Sequence, residues 1–341
     1  MEIPTSSAGQ TAVPVVIVQK RRRWLALFLF LLLVGSMLMN LALASFLSGY
    51  VSEVKGPNEK FHSGDLLAKD KIARLVTDFT IMPPHTKRLL DAIDHVRDQD
   101  DIKGVILVID SPGGLVSDSH EIYHKLRQLS AKKPVYVSMK GIAASGGYYI
   151  AMGAGPDAPI YAEPTTWTGS IGVIMPRYDV SELAHKAGVK PDSLATGPLK
   201  DALNPLKELT ADEKKVWMTI LDDSFNRFLK VIDDSRKNLN AEQIRALATG
   251  QVYTADQALA NGLVDKIGYE EDVLTALKEK LGLTSVRVVD FEHPKSFAEA
   301  LLGAESRLRP TDPVSRLMEL SVPRAMYMFG WPTAPTYFPE R

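Results

Sequence analysis

Three glycine-rich turns place small hydroxyl-bearing side chains where they could act on a carbonyl group. The fullest is Gly141-Ile142-Ala143-Ala144-Ser145-Gly146-Gly147-Tyr148-Tyr149, between a strand-like and a helix-like segment. A nucleophilic serine needs a sharp turn with small neighbours, so that its hydroxyl is exposed and a substrate carbonyl can approach the backbone. The pattern is not Gly-x-Ser-x-Gly, and Ser145 equally suits the ordinary role of a helix N-cap. Asp110-Ser111-Pro112-Gly113-Gly114 follows an apolar segment and precedes a helix-like one. Its glycines either turn backbone N–H groups toward a ligand or simply make the turn. Thr168-Gly169-Ser170-Ile171-Gly172-Val173 leads into a short strand, and Ser170 is a turn residue unless something else recruits it.

An attacking serine needs a base. The seven histidines are His62, His85, His95, His120, His124, His185 and His293, and none lies among small residues and glycines as in a catalytic loop. A lysine serves as base only when neutral; its ordinary value of about 10.4 must be lowered, and burial does that. Composition does not single out Lys200 from the other lysines. A rival chemistry sits in His120-Glu121-Ile122-Tyr123-His124, an H-E-x-x-H pattern. On a helix its two histidines share a face and can bind zinc, with Glu121 as base, which would make a zinc metallopeptidase. No third ligand stands out downstream. The chain has no cysteine, which excludes disulfides, iron–sulfur clusters, Cys-ligated zinc and a thiol nucleophile.

The elements that must carry these turns alternate between strand and helix. Ile72–Ile81, Ile102–Ile109, Pro134–Met139, Ile160–Ala162 and Ile171–Ile174 read as strands, and IKGVILVI is apolar enough to be buried on both sheet faces. Thr86–Arg97, Asp118–Leu129, Gly146–Gly153 and Val180–Ala187 read as helices, followed by a long helical stretch from Thr210 to Leu239 and shorter ones at Ala241–Leu247 and Thr254–Ala260. This rhythm predicts an α/β fold with a mainly parallel sheet flanked by helices.

Residues 24–47, Trp24 to Leu47, contain no charge, and as a helix would be roughly 36 Å long, enough to cross a hydrocarbon core of about 30 Å. Lys20, Arg21, Arg22 and Arg23 precede them, which keeps residues 1–23 cytoplasmic and places the chain beyond the span on the far side of the membrane. Ala42-Leu43-Ala44 leaves signal-peptide cleavage open, although the apolar run is longer than such peptides carry. Residues 48–68 are polar and glycine-punctuated, as in a juxtamembrane connector, and prolines at 310, 313, 323, 332, 335 and 339 interrupt the end. Lys plus Arg is 40 against 41 for Asp plus Glu, a balance that gives no electrostatic basis for binding nucleic acid.

Taken in order, Ser111-Pro112-Gly113-Gly114, Ala144-Ser145-Gly146-Gly147-Tyr148-Tyr149-Ile150-Ala151, Thr168-Gly169-Ser170-Ile171-Gly172-Val173, Gly197-Pro198-Leu199-Lys200-Asp201-Ala202 and the run from Gly250-Gln251-Val252-Tyr253-Thr254-Ala255 to Gly268 resemble the signal peptide peptidase A family of Ser–Lys serine peptidases. The resemblance covers roughly residues 69–290 plus the anchor. It implies a Clp protease/crotonase-like spiral of ββα units behind one N-terminal transmembrane helix, with a peptidase domain over 69–290 and a helical, Pro-rich extension over 291–341. It further implies Ser145 as nucleophile, Lys200 as general base, Ser170 as the hydroxyl that orients the lysine, and backbone N–H groups of Gly113, Gly114 and Gly146 as an oxyanion hole, with no cofactor and no metal. The short form of the family assembles into a ring in which the dyad is shared between subunits. Its members cleave remnant signal peptides, with small or apolar side chains beside the scissile bond, on the outer (periplasmic) side of the cytoplasmic membrane. Leu115 departs from the family, standing where many members have a third glycine. A non-catalytic anchored scaffold and a crotonase-like acyl-CoA enzyme are the remaining readings of the same fold.

Overall fold

The computed structural model describes residues 17–53, 57–292 and 325–330, which fall into two units, Met1–Lys55 and Gly56–Arg341. The first unit is one helix, α1 (Ile17–Glu53). Within it Arg23–Ser45 has a mean hydropathy of 2.4 and none of its surface is buried, so it is long and apolar enough to cross a membrane. Residues 1–16 of the expected basic tail lie outside the described residues.

The second unit is built on a mixed sheet. In chain order it contains β1 (Asn58–Gly64), β2 (Lys71–Thr77), α2 (His85–Asp98), β3 (Ile102–Ser111), β4 (Gly113–Leu115), α3 (Val116–Ser130), β5 (Val135–Ala144), α4 (Gly146–Ala151), β6 (Ile160–Ala162), β7 (Trp167–Gly169), α5 (Ser181–Lys186), α6 (Ala211–Ser235), α7 (Ala241–Leu247), β8 (Val252–Thr254), α8 (Ala255–Ala260), β9 (Lys266–Ile267), α9 (Glu270–Leu281), β10 (Arg287–Glu292) and β11 (Met326–Met328). The sheet order is β1-β10-β2-β3-β5-β6-β9, with β7 pairing β5 and β8. The central neighbours are parallel, as the alternation predicts, whereas β1 and β8 pair antiparallel.

The apolar run in β3 explains why the sheet is covered on both faces. Val105, Leu107 and Ile109 pack in one cluster with Leu89 and Ile93 of α2 and Ile122 and Leu126 of α3. Ile106 and Val108 point the other way, onto Val273 and Leu277 of α9. Successive strand side chains alternate faces, so a strand without polar positions must be sandwiched.

Two local expectations are corrected. Asn58–Gly64, expected within the connector over 48–68, is an edge strand of the main sheet. Its side chains are mostly exposed and it is held by the ladder to β10 and by ion pairs such as Lys60–Glu292 at 2.6 Å, a charged edge that reads as loop by composition. Ile171–Ile174 is not a strand; β7 ends at Gly169, Ser170 turns the chain with φ 48°, and Ile174 makes only an isolated bridge to Met326. Of the extension expected over 291–341, Phe291 and Glu292 close β10 and residues 325–330 are described; His293 and all six C-terminal prolines lie outside the described residues.

Candidate active site

The three turns converge at the carboxyl ends of β3, β5 and β7. Parallel pairing sets Ala143 against Thr168 and Ala144 against Gly169, so Ser145 and Ser170 leave the sheet as neighbours. Ser145 N–H donates to the Gly169 carbonyl at 2.7 Å and Ser170 N–H to the Gln251 carbonyl at 2.7 Å. The Thr168 hydroxyl donates to the Ala143 carbonyl at 2.7 Å, which ties the two strands just below the serines. The β3–β4 turn is fixed to β5 through the Asp110 carboxylate, which accepts from Ile142 N–H at 3.0 Å, and to the preceding loop through the Ser111 hydroxyl, which donates to the Phe79 carbonyl at 2.5 Å.

Ser145 is not a capping serine. It precedes α4, but its side chain makes no capping bond, and its backbone sits at φ 55°, ψ −111°. Its hydroxyl is buried and has no hydrogen-bond partner among the described residues. A buried hydroxyl without a partner costs about 1–3 kcal/mol, and such exceptions cluster where a group is held ready for a reaction. Gly146 opens α4, so its N–H has no partner within that helix. Gly113 stands beside it at φ 98°, and a Cβ on Gly113 would meet Gly146 N at 2.6 Å. Only glycine permits that backbone and that approach. Gly113 N–H itself donates to Ser111 Oγ at 3.2 Å, whereas Gly114 is the register partner of Tyr327 in β11.

Sequence reasoning missed β11, which covers this place. Met326–Met328 pairs antiparallel with Gly113–Leu115, and Met326 also exchanges hydrogen bonds with Ile174, at 2.8 and 2.9 Å. Tyr327 is fully buried, its ring 4.8 Å from Tyr149 and 4.7 Å from Phe228, and its hydroxyl donates to the Ser224 carbonyl at 2.6 Å. Burial pushes the Tyr149 and Tyr327 phenols up, so both remain neutral donors. A three-residue strand in a proline-interrupted stretch offers no periodicity to detect; its two methionines and tyrosine were the only signal.

Lys200 is elsewhere in the chain. It lies in the exposed segment between α5 and α6, its N–H donating to the Gly197 carbonyl at 3.2 Å, and its ammonium has no partner among the described residues. Within one chain the structure therefore joins Ser145, Ser170, Gly113, Gly114 and Gly146, but does not bring Lys200 to the Ser145 hydroxyl. The H-E-x-x-H residues are on α3 and are engaged otherwise. His120 Nδ1 hydrogen-bonds the Tyr149 hydroxyl at 2.7 Å, and His124 Nε2 lies 2.9 Å from the Gln128 amide nitrogen. Burial, foremost, holds His120 below the usual imidazole range. Among the described residues no three His, Cys, Asp or Glu side chains gather as a metal site.

The model of peptidase family S49 matches residues 127–284, and that of Clp protease matches residues 67–166. A provisionally named protease of Synechocystis sp. is 38% identical over 243 residues, covering 71% of this chain and 86% of that protein. A provisionally named signal peptide peptidase SppA of Enterococcus faecium is 34% identical over 256 residues, covering 72% and 73%. The chloroplastic serine protease SPPA of Arabidopsis thaliana is 30% identical over 231 residues, covering 66% of this chain and 34% of that one. The fold is the Clp protease-like α/β fold.

Proposed function

The chain belongs to peptidase family S49, and from that premise we propose that it is a membrane-anchored serine endopeptidase working through Ser145 and Lys200. The observation that carries this reading is the Ser145 hydroxyl, buried, unpaired and presented on a strained turn between Gly113 and Gly169.

In the proposed reaction the Lys200 amine takes the Ser145 proton as Oγ attacks the peptide carbonyl. The oxyanion forms against the N–H of Gly146 and of Gly113 or Gly114, in a place largely closed to water. One such donor is worth about 3–4 kcal/mol at the transition state. The lysine then returns the proton to the leaving amine, and water resolves the acyl-enzyme. Ser170, side by side with Ser145, is placed to orient the amine. Because Lys200 does not meet Ser145 within one chain, the dyad is completed between subunits of a ring. The segment bearing Lys200 presents Val189, Leu194 and Leu199 to solvent, at 47, 100 and 44% exposure, apolar surface that a neighbouring subunit would cover. Peptides left in the membrane, remnant signal peptides above all, are the natural substrates for a domain tethered by residues 24–47. Lys20 to Arg23 hold the N-terminus in the cytoplasm and the peptidase domain on the periplasmic side.

Ser145→Ala and Lys200→Ala should each abolish cleavage of a fluorogenic apolar peptide while leaving the mass of the assembly unchanged. Mixed assemblies of the two variants should regain part of the activity. Substantial cleavage by either single variant would remove the dyad, and absence of rescue in the mixture would put both groups in one chain.

A further inference from the structure

We infer that His120 is a positioning residue for Ser145 and acts through Tyr149: the imidazole on α3 fixes the phenol, and the residue carrying the phenol fixes the turn on which the serine stands. This rests on Ser145 being the nucleophile, and adds to that site a group that touches neither the substrate nor the reacting atoms.

A backbone held at positive φ must be tied on both sides of the residue. Ser145 lies at φ 55°. Its N–H donates to the Gly169 carbonyl at 2.7 Å, and its carbonyl accepts from Tyr149 N–H at 2.8 Å. The first tie comes from the sheet and is set by the register of β5 on β7. The second comes from α4, a helix of six residues, too short to be stable without its packing. What holds Tyr149 therefore holds the carbonyl side of the serine turn.

Tyr149 is wholly buried, and its ring centroid lies 5.5 Å from Tyr123, 5.0 Å from Phe228 and 4.8 Å from Tyr327. Ring packing is favourable over a range of offsets, so it fills the space without setting where the ring stops along its long axis. The hydroxyl sets that. It lies 2.7 Å from His120 Nδ1; burial keeps the phenol protonated and holds the imidazole below its usual range, so the phenol donates and Nδ1 accepts. Without that acceptor the buried donor is unpaired, and the ring shifts to satisfy it.

α3 is the element that can do this, because it joins both halves of the site. It starts at Val116, directly after Gly113–Leu115 of β4. Its Ser119 hydroxyl donates to the Leu115 carbonyl at 2.9 Å and lies 2.7 Å from where a Cβ on Gly146 would stand. One residue on, His120 reaches Tyr149, its own ring stacked on Tyr123 at 5.8 Å. α3 thus meets α4 at its first residue and again at Tyr149, and couples the turn bearing Gly113 and Gly114 to the one bearing Ser145. His120 is not the base, since the Ser145 hydroxyl has no hydrogen-bond partner among the described residues. His124, the other histidine of the H-E-x-x-H run, is engaged with Gln128 instead.

Full-length variants test this on cleavage of a fluorogenic apolar peptide. His120→Leu removes the acceptor, Tyr149→Phe removes the donor, and His120→Asn keeps an acceptor oxygen close to the place of Nδ1. His120→Leu and Tyr149→Phe should each lower kcat about tenfold with KM within about twofold, the scale of a reacting group displaced by a fraction of an ångström. His120→Asn should keep at least about half of kcat. The double variant His120→Leu, Tyr149→Phe should be no slower than the slower single one, because the two side chains act as one unit. A merely structural histidine would not give this pattern. Equal losses in His120→Leu and His120→Asn, a change confined to KM, or parent kcat in Tyr149→Phe, which loses a single oxygen, would overturn the proposal. A fluorophosphonate probe separates this from the role of Ser145. Labelling of the parent at residue 145, with labelling of His120→Leu about tenfold slower, is the expected result. Equal labelling rates at residue 145 overturn the positioning role alone, and labelling of the parent at another residue overturns the nucleophile on which it rests.

Discussion

Ser145 and Ser170 emerge side by side from two parallel strands, and they are the only non-glycine residues with positive φ, 55° and 48°, among the described residues. Each is pinned through its own N–H, to the Gly169 and Gln251 carbonyls. Left-handed conformations of this kind cost a β-carbon residue about 1–3 kcal/mol and persist only where the surroundings over-determine them. The Ala144–Gly169 register supplies that constraint, and it brings the two residues out of the sheet next to one another.

Strain at Ser145 should be measurable as stability. Ser145→Gly relieves the backbone at φ 55°, whereas Ser145→Ala keeps it. Both variants should be inactive, but the glycine variant should melt about 2–4 °C above the alanine variant, the equivalent of about 1 kcal/mol in a domain of this size. Calorimetry decides it: equal melting temperatures would show that the turn stores no strain.

Ser170 should matter to rate and not to folding. Ser170 is buried, follows the strand that pairs with the one leading to Ser145, and its side chain makes no hydrogen bond to another element among the described residues. Ser170→Ala should lower kcat by roughly a hundredfold with little change in KM, as expected when a group that positions a base is removed. A change confined to KM would assign Ser170 to substrate binding instead.

The site was more legible in the sequence than the periphery, and the reason is physical. Ser145, Gly113 and Gly169 must be small or bend backward for the backbone to approach itself, and these demands leave dense local signals. The buried β3 announced itself through an unbroken apolar run. β1 did not, because an edge strand with mostly exposed side chains and an ion-paired lysine has the composition of a loop. β9 has two residues and β11 three, too short for any period to show, and both are fixed by partners far away in sequence. α9 was missed although Glu270, Glu271 and Asp272 mark its first turn and Gly282 its end. Lys200 lies in an exposed segment, so neither burial pattern nor periodicity marked it, and only the motif Gly197-Pro198-Leu199-Lys200-Asp201-Ala202 pointed to it.

Close approach at Gly113 yields a contrast between two glycines of the same site. A Cβ on Gly113 would fall 2.0 Å from the Tyr327 carbonyl oxygen and 2.6 Å from Gly146 N, at φ 98°. On Gly141 the nearest atom would be an Asp110 carboxylate oxygen at 3.4 Å. Gly113→Ala should therefore cost at least about a hundredfold in kcat/KM, the scale of a lost oxyanion donor, while Gly141→Ala should stay within about threefold of the parent. Comparable losses in both variants would mean that the turn tolerates or rejects side chains for some other reason.

The segment just beyond Lys200 is tied down by one ion pair whose pH dependence can be worked out. Lys207 Nζ donates to Glu213 Oε1 at 2.8 Å and lies 3.7 Å from Asp201, and Glu213 Oε2 accepts from the N–H and hydroxyl of Thr210 at 2.9 and 3.0 Å. The Lys207 hydrogen bond, ahead of that from Thr210, lowers the Glu213 carboxyl from its ordinary 4.5 to about 2. A carboxyl whose folded value is depressed stabilises the fold fully above the unfolded value, and that contribution is lost as pH falls through the folded one. Glu213→Gln keeps the capping geometry to Thr210 but removes the charge. Its melting temperature should fall below that of the parent at pH 7, and the gap should close between about pH 4.5 and pH 2 as the parent carboxylate is protonated. Because Asp201 adjoins Lys200, loosening this clamp should also reduce kcat at pH 7, and addition of the Lys207→Met change should add little further, since the two side chains act as one unit. A melting gap that stays constant from pH 7 to pH 2, or full additivity of the two substitutions, would show that the pair does not hold the Lys200 segment.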